Sequence, residues 1–502
     1  MGLLKDLLLQ GRYAPDHRPW PRALVSAAVW RAAIAGLAEH RLTLLGFWGE
    51  PESVHLALLE ETSGEIAVVS LACPEGRFPS VAARHVPAQR LERTIRDLFG
   101  LAAEGADDTR PWLDHGRWGV TAPLGAAVPT SSGGAPYRFL AAEGEGLHQI
   151  PVGPVHAGII EPGHFRFTAN GETVVRLEAR LGYVHKGIEG LMAGADLDCA
   201  VKLASRTSGD STVAYALAFA RAAEAALEVE APPRALWLRA LMAELERLAN
   251  HLGDIGAICN DAAFSLMLAH CGALRERVLR AAEACFGHRL MRDIVVPGGV
   301  AVDLAPDGRR ILEELLDNIH SRFPALVNLY DNTASLLDRT VATGILKPAL
   351  ASQFGAGGYV GRASGRAVDA RRAPGYAPYD RLDFQVPVLQ QGDVNARVWI
   401  RIREVEQSLA LVAQIAARLP DGPLRAELPL RAGEGMALVE SFRGDVLAWL
   451  RLDGEGRVAR CHLRDPSWFH WPLLEAAIEG NIVADFPLCN KSFNCSYSGH
   501  DL

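Results

Sequence analysis

The chain has 502 residues, of which 49% are hydrophobic and 22% charged, and its formal net charge is -8. A chain of this length can bury a large core and favours roughly two to four domains, while its acidic balance excludes a general attraction to nucleic acid. The eight cysteines include no Cys-x-x-Cys pair, which argues against a disulfide framework or an iron–sulfur cluster and favours a reducing cytoplasm. No apolar stretch reaches the roughly 18–20 residues of a membrane span, so we expect any membrane association to come through other subunits.

Residues 1–120 are predicted to form a small α+β domain. They contain strand-length apolar runs and helical patterns, with strands at 42–50, 54–61 and 65–74 and helices at 21–40 and 88–101. The next segment, 121–147, is rich in Gly, Ala, Pro and Ser and has no sustained period. Such composition is typical of a linker, and we place one there.

Residues 148–502 are predicted to form a mainly α-helical domain. A short strand pair comes first, at 165–168 and 173–181, joined by Ala169-Asn170-Gly171. Pro232 and Pro233 then mark the start of a long helix, because proline is favoured in the first turn. Further helices are predicted at 266–286, 309–331 and 396–418.

Three polar residues of the long helix, Glu244, Arg247 and His251, are three and four positions apart and share one face. We interpret this face as a solvated or interface stripe.

Two short segments carry the most informative pattern of the chain. RTSGDS (206–211) and the C-terminal DFPLCNKSFNCSYSGHDL (485–502) resemble the two motifs that supply four cysteine ligands to nickel in large subunits of nickel–iron hydrogenases. The matching positions here are Ser208, Ser211, Ser496 and Gly499. Soft thiolates bind nickel, whereas a serine hydroxyl stays protonated and is a hard, weak ligand, so the resemblance implies that nickel does not bind.

The remaining cysteines offer an alternative ligand set. Cys489 and Cys495 could be a displaced pair, completed by two of Cys199, Cys259 or Cys271. A separation of six residues is poor metal spacing, which disfavours this alternative.

The resemblance extends over nearly the whole chain. ERTIRDLFGL and DDTRPWLDHGRW near the end of the first domain resemble the C-type (30-kDa-type) unit of respiratory complex I. GPVHAGIIEPGHFRF, LGYVHKGIEGL, PGGVAVDL and ESFRGDV resemble the D-type unit of complex I, which forms its quinone chamber, and the large subunits of membrane-bound, hydrogenase-4 and formate hydrogenlyase-like hydrogenases. The implied fold of 148–502 is that of a nickel–iron hydrogenase large subunit.

Glu189 in HKGIEGL matches the glutamate that hydrogenases place beside the metal as a proton gate. Burial would raise the pKa of such a carboxyl toward neutrality and let it pass protons. The alternative is a structural ion pair with Lys186 or a nearby arginine.

His156 and His164 lie in a segment where complex I has two histidines, the second of which approaches the quinone head group. An imidazole that titrates near neutral pH could donate to a quinone oxygen, and Glu161 could serve the same cavity. Stabilisation of the loop is the alternative role. The quinone-binding tyrosine of complex I aligns with Gly209, whose hydrogen side chain cannot donate.

Other polar residues are assigned to the same cavity by the resemblance. Asp210 and His500 would line the space left by the ligands, together with the serines, and would hold waters or a proton path. Arg206 belongs to the first motif, and Arg443, Asp369 and Arg371 belong to segments that form cavity walls in the family. Structural pairing is the alternative for these charges.

The resemblance implies a nickel-free large subunit of a hydrogenase-like, complex I-like membrane oxidoreductase, peripheral on the cytoplasmic face of the cell membrane. Expected partners are an iron–sulfur small subunit similar to the B-type unit of complex I, a ferredoxin-like subunit and proton-pumping antiporter-like membrane subunits. The chain would support electron transfer to quinone or couple it to ion translocation, with Glu189, His156, His164 and Arg443 as its catalytic candidates. A quinone is the only cofactor considered for the chain itself, since iron–sulfur clusters are expected in the partners. The alternatives are a non-catalytic structural adaptor and an active hydrogenase with displaced ligands.

Overall fold

The computed structural model describes residues 2–131, 136–156 and 160–502. The helices are α1 Leu3–Leu9, α2 Ala27–Ala38, α3 Gln89–Phe99, α4 Ile188–Met192, α5 Leu197–Ser205, α6 Thr212–Leu227, α7 Pro233–Asp261, α8 Ser265–Phe286, α9 Gly308–Asp331, α10 Ala334–Thr340, α11 Pro348–Gln353, α12 Gly358–Ala363, α13 Val394–Arg418, α14 Ser467–Ala477, α15 Phe486–Phe493 and α16 Tyr497–Asp501.

The strands are β1 Arg12–Ala14, β2 His17–Arg18, β3 Arg22–Val25, β4 Thr43–Glu50, β5 Ser53–Glu60, β6 Glu65–Ala72, β7 Arg77–Pro79, β8 Ala102–Glu104, β9 Val120–Thr121, β10 Val128–Pro129, β11 Leu147–Val152, β12 His164–Asn170, β13 Thr173–Arg180, β14 Val295–Val296, β15 Gly299–Val300, β16 Gly433–Glu440, β17 Asp445–Leu452 and β18 Val458–Arg464.

The N-terminal region is built on a five-stranded sheet with the order β1-β3-β6-β5-β4, so the three predicted strands are confirmed. The predicted helix at 21–40 is wrong at its start. Arg22–Val25 alternate between half-buried and buried and pair with β6 in parallel, and the helix begins only after Ser26, whose side chain caps it by accepting from the Val29 N–H.

The predicted strand pair forms a hairpin of β12 and β13, and β11 joins it on the other side of β12. β11 begins at the last residue of the predicted linker, and β9 and β10 form a small hairpin at its start. The division at 120 and 147 therefore remains a prediction, although the segment carries more regular structure than its composition indicated.

Helices dominate the chain after α4, as predicted. α7 packs along both α8 and α13, and the apolar stripe of α7 is buried in the largest core. Helix α7 begins at Pro233, as predicted. The first and last residues of α8, α9 and α13 lie within two residues of the predicted bounds.

A second sheet was missed by the sequence patterns. β16, β17 and β18 form an antiparallel meander, and β2 from the N-terminal region adds to β16 in parallel. Trp48 of β4 stacks on His462 of β18, with ring centroids 5.2 Å apart. The N-terminal region and the C-terminal half thus share a sheet and an aromatic contact.

Among the residues described, no helix combines the length and the apolar character that crossing a membrane requires.

Candidate functional site

The four positions that match nickel ligands lie together in the structure, and we call Ser208, Ser211, Ser496 and Gly499 the serine–glycine cluster. The loop between α5 and α6 carries the first pair, and the start of α16 carries the second. Ser208 Oγ lies 3.0 Å from Ser496 Oγ, and Ser496 Oγ accepts the Gly499 N–H at 2.8 Å as the N-cap of α16. Two segments 288 residues apart in sequence are therefore joined by hydroxyl contacts.

An ion pair lies beside this cluster. Arg443 donates from Nη2 to Asp210 Oδ2 at 2.6 Å and from Nη1 to Ser211 Oγ at 3.3 Å, while Ser208 Oγ donates to Asp210 Oδ1 at 2.7 Å. Burial by itself would raise the pKa of Asp210, but the Arg443 guanidinium and the serine hydroxyls lower it to about 2. The cluster therefore holds a fixed negative charge with its own counter-charge, and Asp210 keeps 36% of its side chain exposed.

The space beside Gly499 is filled by another carboxylate. A Cβ added at Gly499 would lie 2.7 Å from Cγ of Asp465 and 2.9 Å from Ser496 Oγ, closer than real Cβ atoms approach. Asp465 is fully buried, and its Oδ2 accepts a hydrogen bond from the Tyr215 hydroxyl at 2.7 Å. A side chain at this position requires the Asp465 carboxyl to move, and the three serines supply no thiolate, so the residues present do not suit a four-thiolate nickel site.

The displaced-ligand alternative finds no support in the side-chain arrangement. Cys489 and Cys495 are both buried, and burial raises the pKa of the Cys489 thiol to about 11, which disfavours a thiolate. Across 2–131, 136–156 and 160–502, no group of three or more His, Cys, Asp or Glu side chains is arranged to hold a metal ion.

Glu189 is buried and ion-paired, with 5% of its surface exposed. Arg460 donates to its Oε2 at 2.8 Å, His462 Nδ1 lies 2.8 Å from Oε1, and the Leu463 N–H donates to Oε1 at 3.1 Å. Burial favours the neutral form, yet Arg460 and His462 together lower the pKa of Glu189 to about 2. The predicted upward shift is therefore wrong, and the ion pair with a nearby arginine is what the structure contains, with Arg460 rather than Lys186 as partner.

The two loop histidines differ in their surroundings. His164 is buried, with Nδ1 3.1 Å from the Gly153 carbonyl and Nε2 accepting from Arg166 Nε at 3.3 Å. His156 packs against Phe165 and Tyr497, and its Nε2 is buried without a hydrogen-bond partner among the residues described. Burial lowers the pKa of both imidazoles from the ordinary histidine value, which favours their neutral forms.

Three other candidates lie in different places. Glu161 is exposed and accepts the Ser498 N–H at 3.1 Å, which keeps it near α16. His500 is fully buried, stacks on Trp468 at 4.0 Å and accepts from Trp112 Nε1 at 3.3 Å, so it connects the C terminus to the N-terminal region. Arg206 lies on the surface in an ion pair with Asp293 at 2.7 Å, and the prediction that it lines the cavity is wrong.

Asp369 and Arg371 belong to a larger group that we call the buried charge cluster. Its members are all nearly or fully buried: Glu244, Arg247, His251, Arg362, Asp369, Arg371, Glu404 and Glu440. Arg371 pairs with Asp369 at 2.7 Å and with Glu244 at 2.9 Å. The interpretation of Glu244, Arg247 and His251 as a solvated stripe is wrong, because α13 and the turn after α12 cover that face of α7.

The buried charge cluster has one carboxylate more than it has guanidinium groups. Arg362 donates to both Glu404, at 2.8 Å, and Glu440, at 2.9 Å, and His251 Nε2 lies 2.6 Å from Glu404. Burial and the neighbouring Asp369 raise the pKa of Glu440 to about 7, although Arg362 acts in the opposite direction. Among the carboxylates of this cluster, Glu440 is therefore the one that gains a proton most readily.

The segment that carries Arg443 is attached to this cluster. Arg247 donates to the carbonyl oxygens of Glu440 and Ser441, each at 2.9 Å. Sequence reasoning missed this connection, as it missed Arg460, His462 and Asp465, because the residues meet only through the β16–β18 sheet and the loops at its ends.

Comparisons with known proteins show the family of the chain. The chain matches the family of the 49 Kd subunit of respiratory-chain NADH dehydrogenase over 261–432 and 425–501, and that of the 30 Kd subunit over 42–133. It is 33% identical to the carbon monoxide-induced hydrogenase of Rhodospirillum rubrum over 350 residues, which are 69% of this chain and 97% of that protein. It is 31% identical to formate hydrogenlyase subunit 5 of Escherichia coli over 84% of this chain and 77% of that protein.

A solved structure is also similar. One chain of the membrane-bound sulfane sulfur reductase, an archaeal respiratory membrane complex, superposes with a TM-score of 0.68 and 27% identity, covering 71% of this chain and 99% of that one. The predicted fold and the predicted joining of 30-kDa-type and 49-kDa-type units are confirmed by these matches.

Proposed function

Because the chain belongs to the family that unites the 49-kDa subunit of respiratory NADH dehydrogenase with the large subunits of related hydrogenases, and is a subunit of an oxidoreductase complex, we propose that it works there without nickel. Its complex would pass electrons from an iron–sulfur small subunit to a quinone, or couple that transfer to ion translocation. A ferredoxin-like subunit and antiporter-like membrane subunits would complete the assembly on the cytoplasmic face of the membrane.

The observation that carries the nickel-free proposal is the Asp465 carboxylate beside Gly499. It occupies the volume that a ligand side chain at this position would need, and the Tyr215 hydroxyl holds it there. Beside the two serines of the first motif, Arg443 forms an ion pair with Asp210, with Nη2 2.6 Å from Oδ2. An ion pair and a hydrogen-bonded carboxylate therefore lie at the four positions that match nickel ligands.

In this proposal, the serine–glycine cluster also offers a row of hydroxyl groups along which protons could move. Hydroxyl groups connect Ser496 through Ser208 to Asp210, with steps of 3.0 and 2.7 Å. Because Asp210 is partly exposed, this row reaches from the buried end of α16 toward solvent. A bound quinone would be the electron acceptor. His156, with its buried ring nitrogen free of protein partners in the described part of the chain, would orient that group better than His164, whose ring nitrogens are both engaged.

The experiment is a metal analysis of the complex purified through this chain, together with an assay of hydrogen turnover. We expect no stoichiometric nickel and no hydrogen evolution, with a nickel-containing hydrogenase prepared alongside as the positive control. Stoichiometric nickel with hydrogen turnover would overturn the proposal.

Partners are tested by mild solubilisation of membranes, recovery of the chain and mass spectrometry of what accompanies it. The proposal expects a cluster-bearing small subunit and antiporter-like membrane subunits. Recovery of the chain alone from the soluble fraction would contradict it.

A structural adaptor without chemistry of its own is favoured by one observation, the fixed ion pair of Glu189 with Arg460 and His462. Under this second hypothesis, Glu189→Gln leaves the electron-transfer rate of an assembled complex unchanged and reduces only the yield of assembly. A fall in turnover in fully assembled complex, with a shifted pH profile, would favour the proton-handling role.

A further inference from the structure

One indole ring connects the N-terminal region to the surroundings of Glu189. Trp48 of β4 is buried and stacks on His462 of β18, with ring centroids 5.2 Å apart and ring planes at 14°. It also stacks on His55 of β5, at 5.3 Å. Each imidazole lies beside a glutamate. His462 Nδ1 is 2.8 Å from Glu189 Oε1, and His55 Nε2 is 3.1 Å from an oxygen of Glu50. The proposed function gives Trp48 no role.

The N-terminal region also contacts the arginine that pairs with Glu189. Arg460 donates from Nη2 to Glu189 Oε2 at 2.8 Å and to the Gly49 carbonyl at 3.4 Å. Its guanidinium lies over the Phe99 ring at the end of α3, with Cζ 5.0 Å from the ring centre. Both side chains of β18 that bind Glu189 are therefore packed against the N-terminal region.

The ring of His462 has few other constraints. Its Nε2 is buried and finds no hydrogen-bond partner in the part of the chain that the structure describes. Rotation about the bond that joins an imidazole to Cβ has broad, roughly two-fold preferences, so the side chain itself does not select which nitrogen faces Glu189. The orientation of the ring thus depends on the contact of Nδ1 with Glu189 and on the stack with Trp48.

The charge on Glu189 decides which ring nitrogen carries the proton. Burial raises the pKa of Glu189, but Arg460 and His462 lower it to about 2, and an ionised carboxylate can only accept hydrogen bonds. Nδ1 of His462 is therefore the donor. Burial lowers the pKa of His462, Glu189 raises it, and Arg460 and Arg464 lower it further, with a net decrease. A neutral His462 thus carries its single proton on Nδ1.

We propose that Trp48 is a positioning residue, which holds the His462 ring with Nδ1 turned toward Glu189. The region that matches the 30 Kd subunit family, residues 42–133, thereby takes part in the surroundings of Glu189 through one aromatic ring. A side chain without a flat face at position 48 would leave the imidazole free to turn, so that Nε2 faces Glu189 in part of the molecules. The bearing of Trp48 on turnover rests on the proposed function, whereas the orientation of His462 does not.

The test is ¹⁵N NMR of the full chain labelled in histidine, at a pH where His462 is neutral, because the signals of the two ring nitrogens show which of them carries the proton. The signals of His462 are identified by their loss in His462→Gln. We expect the unaltered chain to show the Nδ1–H form alone and Trp48→Met to show both forms. Trp48→Phe keeps a flat ring and should retain the single form.

The matched control is Trp30→Met, since Trp30 is also fully buried in the N-terminal region but packs against Phe47. It should lose stability as Trp48→Met does and keep the single form of His462, and circular dichroism should show that each variant is folded. An unchanged single form in Trp48→Met, or the same mixture in Trp30→Met, would overturn the proposal. An Nε2–H form of His462 in the unaltered chain would overturn it without any variant.

Electron transfer by the assembled complex distinguishes this proposal from the proposed function. If Glu189 handles protons, Trp48→Met should shift the pH profile of turnover in the same direction as Glu189→Gln. Mixed forms of His462 with an unchanged pH profile would support the positioning role of Trp48 and contradict proton handling at Glu189. A shifted profile with a single form of His462 would overturn the positioning role.

Discussion

The serine–glycine cluster and the buried charge cluster lie at opposite ends of one short segment, 440–443, yet they are built differently. Around Ser208 and Ser496, the Asp210 carboxylate pairs with the Arg443 guanidinium, and Asp210 still reaches solvent. Behind it, the carboxylates of Glu244, Asp369, Glu404 and Glu440 outnumber the guanidinium groups of Arg247, Arg362 and Arg371, and all are buried.

This difference shows that the residues at the four ligand positions and the buried charges of the surrounding scaffold are under different constraints. Hydroxyl groups and a neutralised ion pair replace ligands at little cost, because each group finds a local partner. Replacing one of the buried charges costs more, since most of them contact two or more polar neighbours. Serine and glycine at the four matching positions are therefore compatible with an intact core.

The largest effect is expected from Arg362→Met. This change leaves Glu404 and Glu440 without their shared guanidinium in a fully buried site, and it should destabilise the fold by about 3–5 kcal/mol. Urea unfolding of the full chain measures it. The control is Arg403→Met on the same helix as Glu404, an exposed pair with Glu406 that should cost about 0–1 kcal/mol. Equal losses in the two variants would remove the distinction between the clusters.

Glu440→Gln should flatten the pH dependence of stability. The folded pKa of Glu440, about 7, lies above its ordinary value of 4.5, so its contribution is fully present below pH 4.5 and is lost as pH rises through 7. A full proton of difference gives about 1.4 kcal/mol per pH unit in that window. Thermal unfolding between pH 5 and pH 8 measures the slope. An unchanged slope would show that Glu440 does not take up a proton in this pH range.

Gly499→Ala should destabilise the chain by about 1–3 kcal/mol, because the new Cβ meets the Asp465 carboxyl. The same substitution in an Asp465→Ala background should cost less, since the obstructing group is absent. Gly272→Ala is the control, as open space surrounds that position in α8. A full cost that persists without Asp465 would show that backbone geometry, and not this carboxylate, excludes a side chain.

Ser208→Ala should have the smallest effect, about 0.5–1.5 kcal/mol, because Asp210 keeps Arg443 and Ser211 as donors. The free energy of unfolding is measured by chemical denaturation. The control is Ser321→Ala, which removes an exposed hydroxyl on α9. A loss as large as that of Arg362→Met would mean that the two clusters are not independent.

Local pattern was a sufficient guide to much of the fold and a poor guide to the site. Apolar periodicity predicted the helices α7, α8, α9 and α13, and apolar strand-length runs predicted β4, β5 and β6. These patterns are visible in the sequence because the burial of one face of an element depends on residues that are close together in the chain. Strand β3 was missed because its pairing with β6 lies 46 residues away, and β16–β18 were missed among longer helical signals. The pKa of Glu189 was predicted in the wrong direction because Arg460 and His462 are distant in sequence.

By itself the sequence determined which residues stand at the four ligand positions, the family to which their surrounding motifs belong and the helices that carry them. Only the tertiary structure decided that Asp465 fills the space beside Gly499 and that Glu244, Arg247 and His251 are buried among opposite charges. The physical reason is that side-chain identity and periodicity are local properties. Burial, charge compensation and free volume are set by groups that folding brings together from hundreds of residues away.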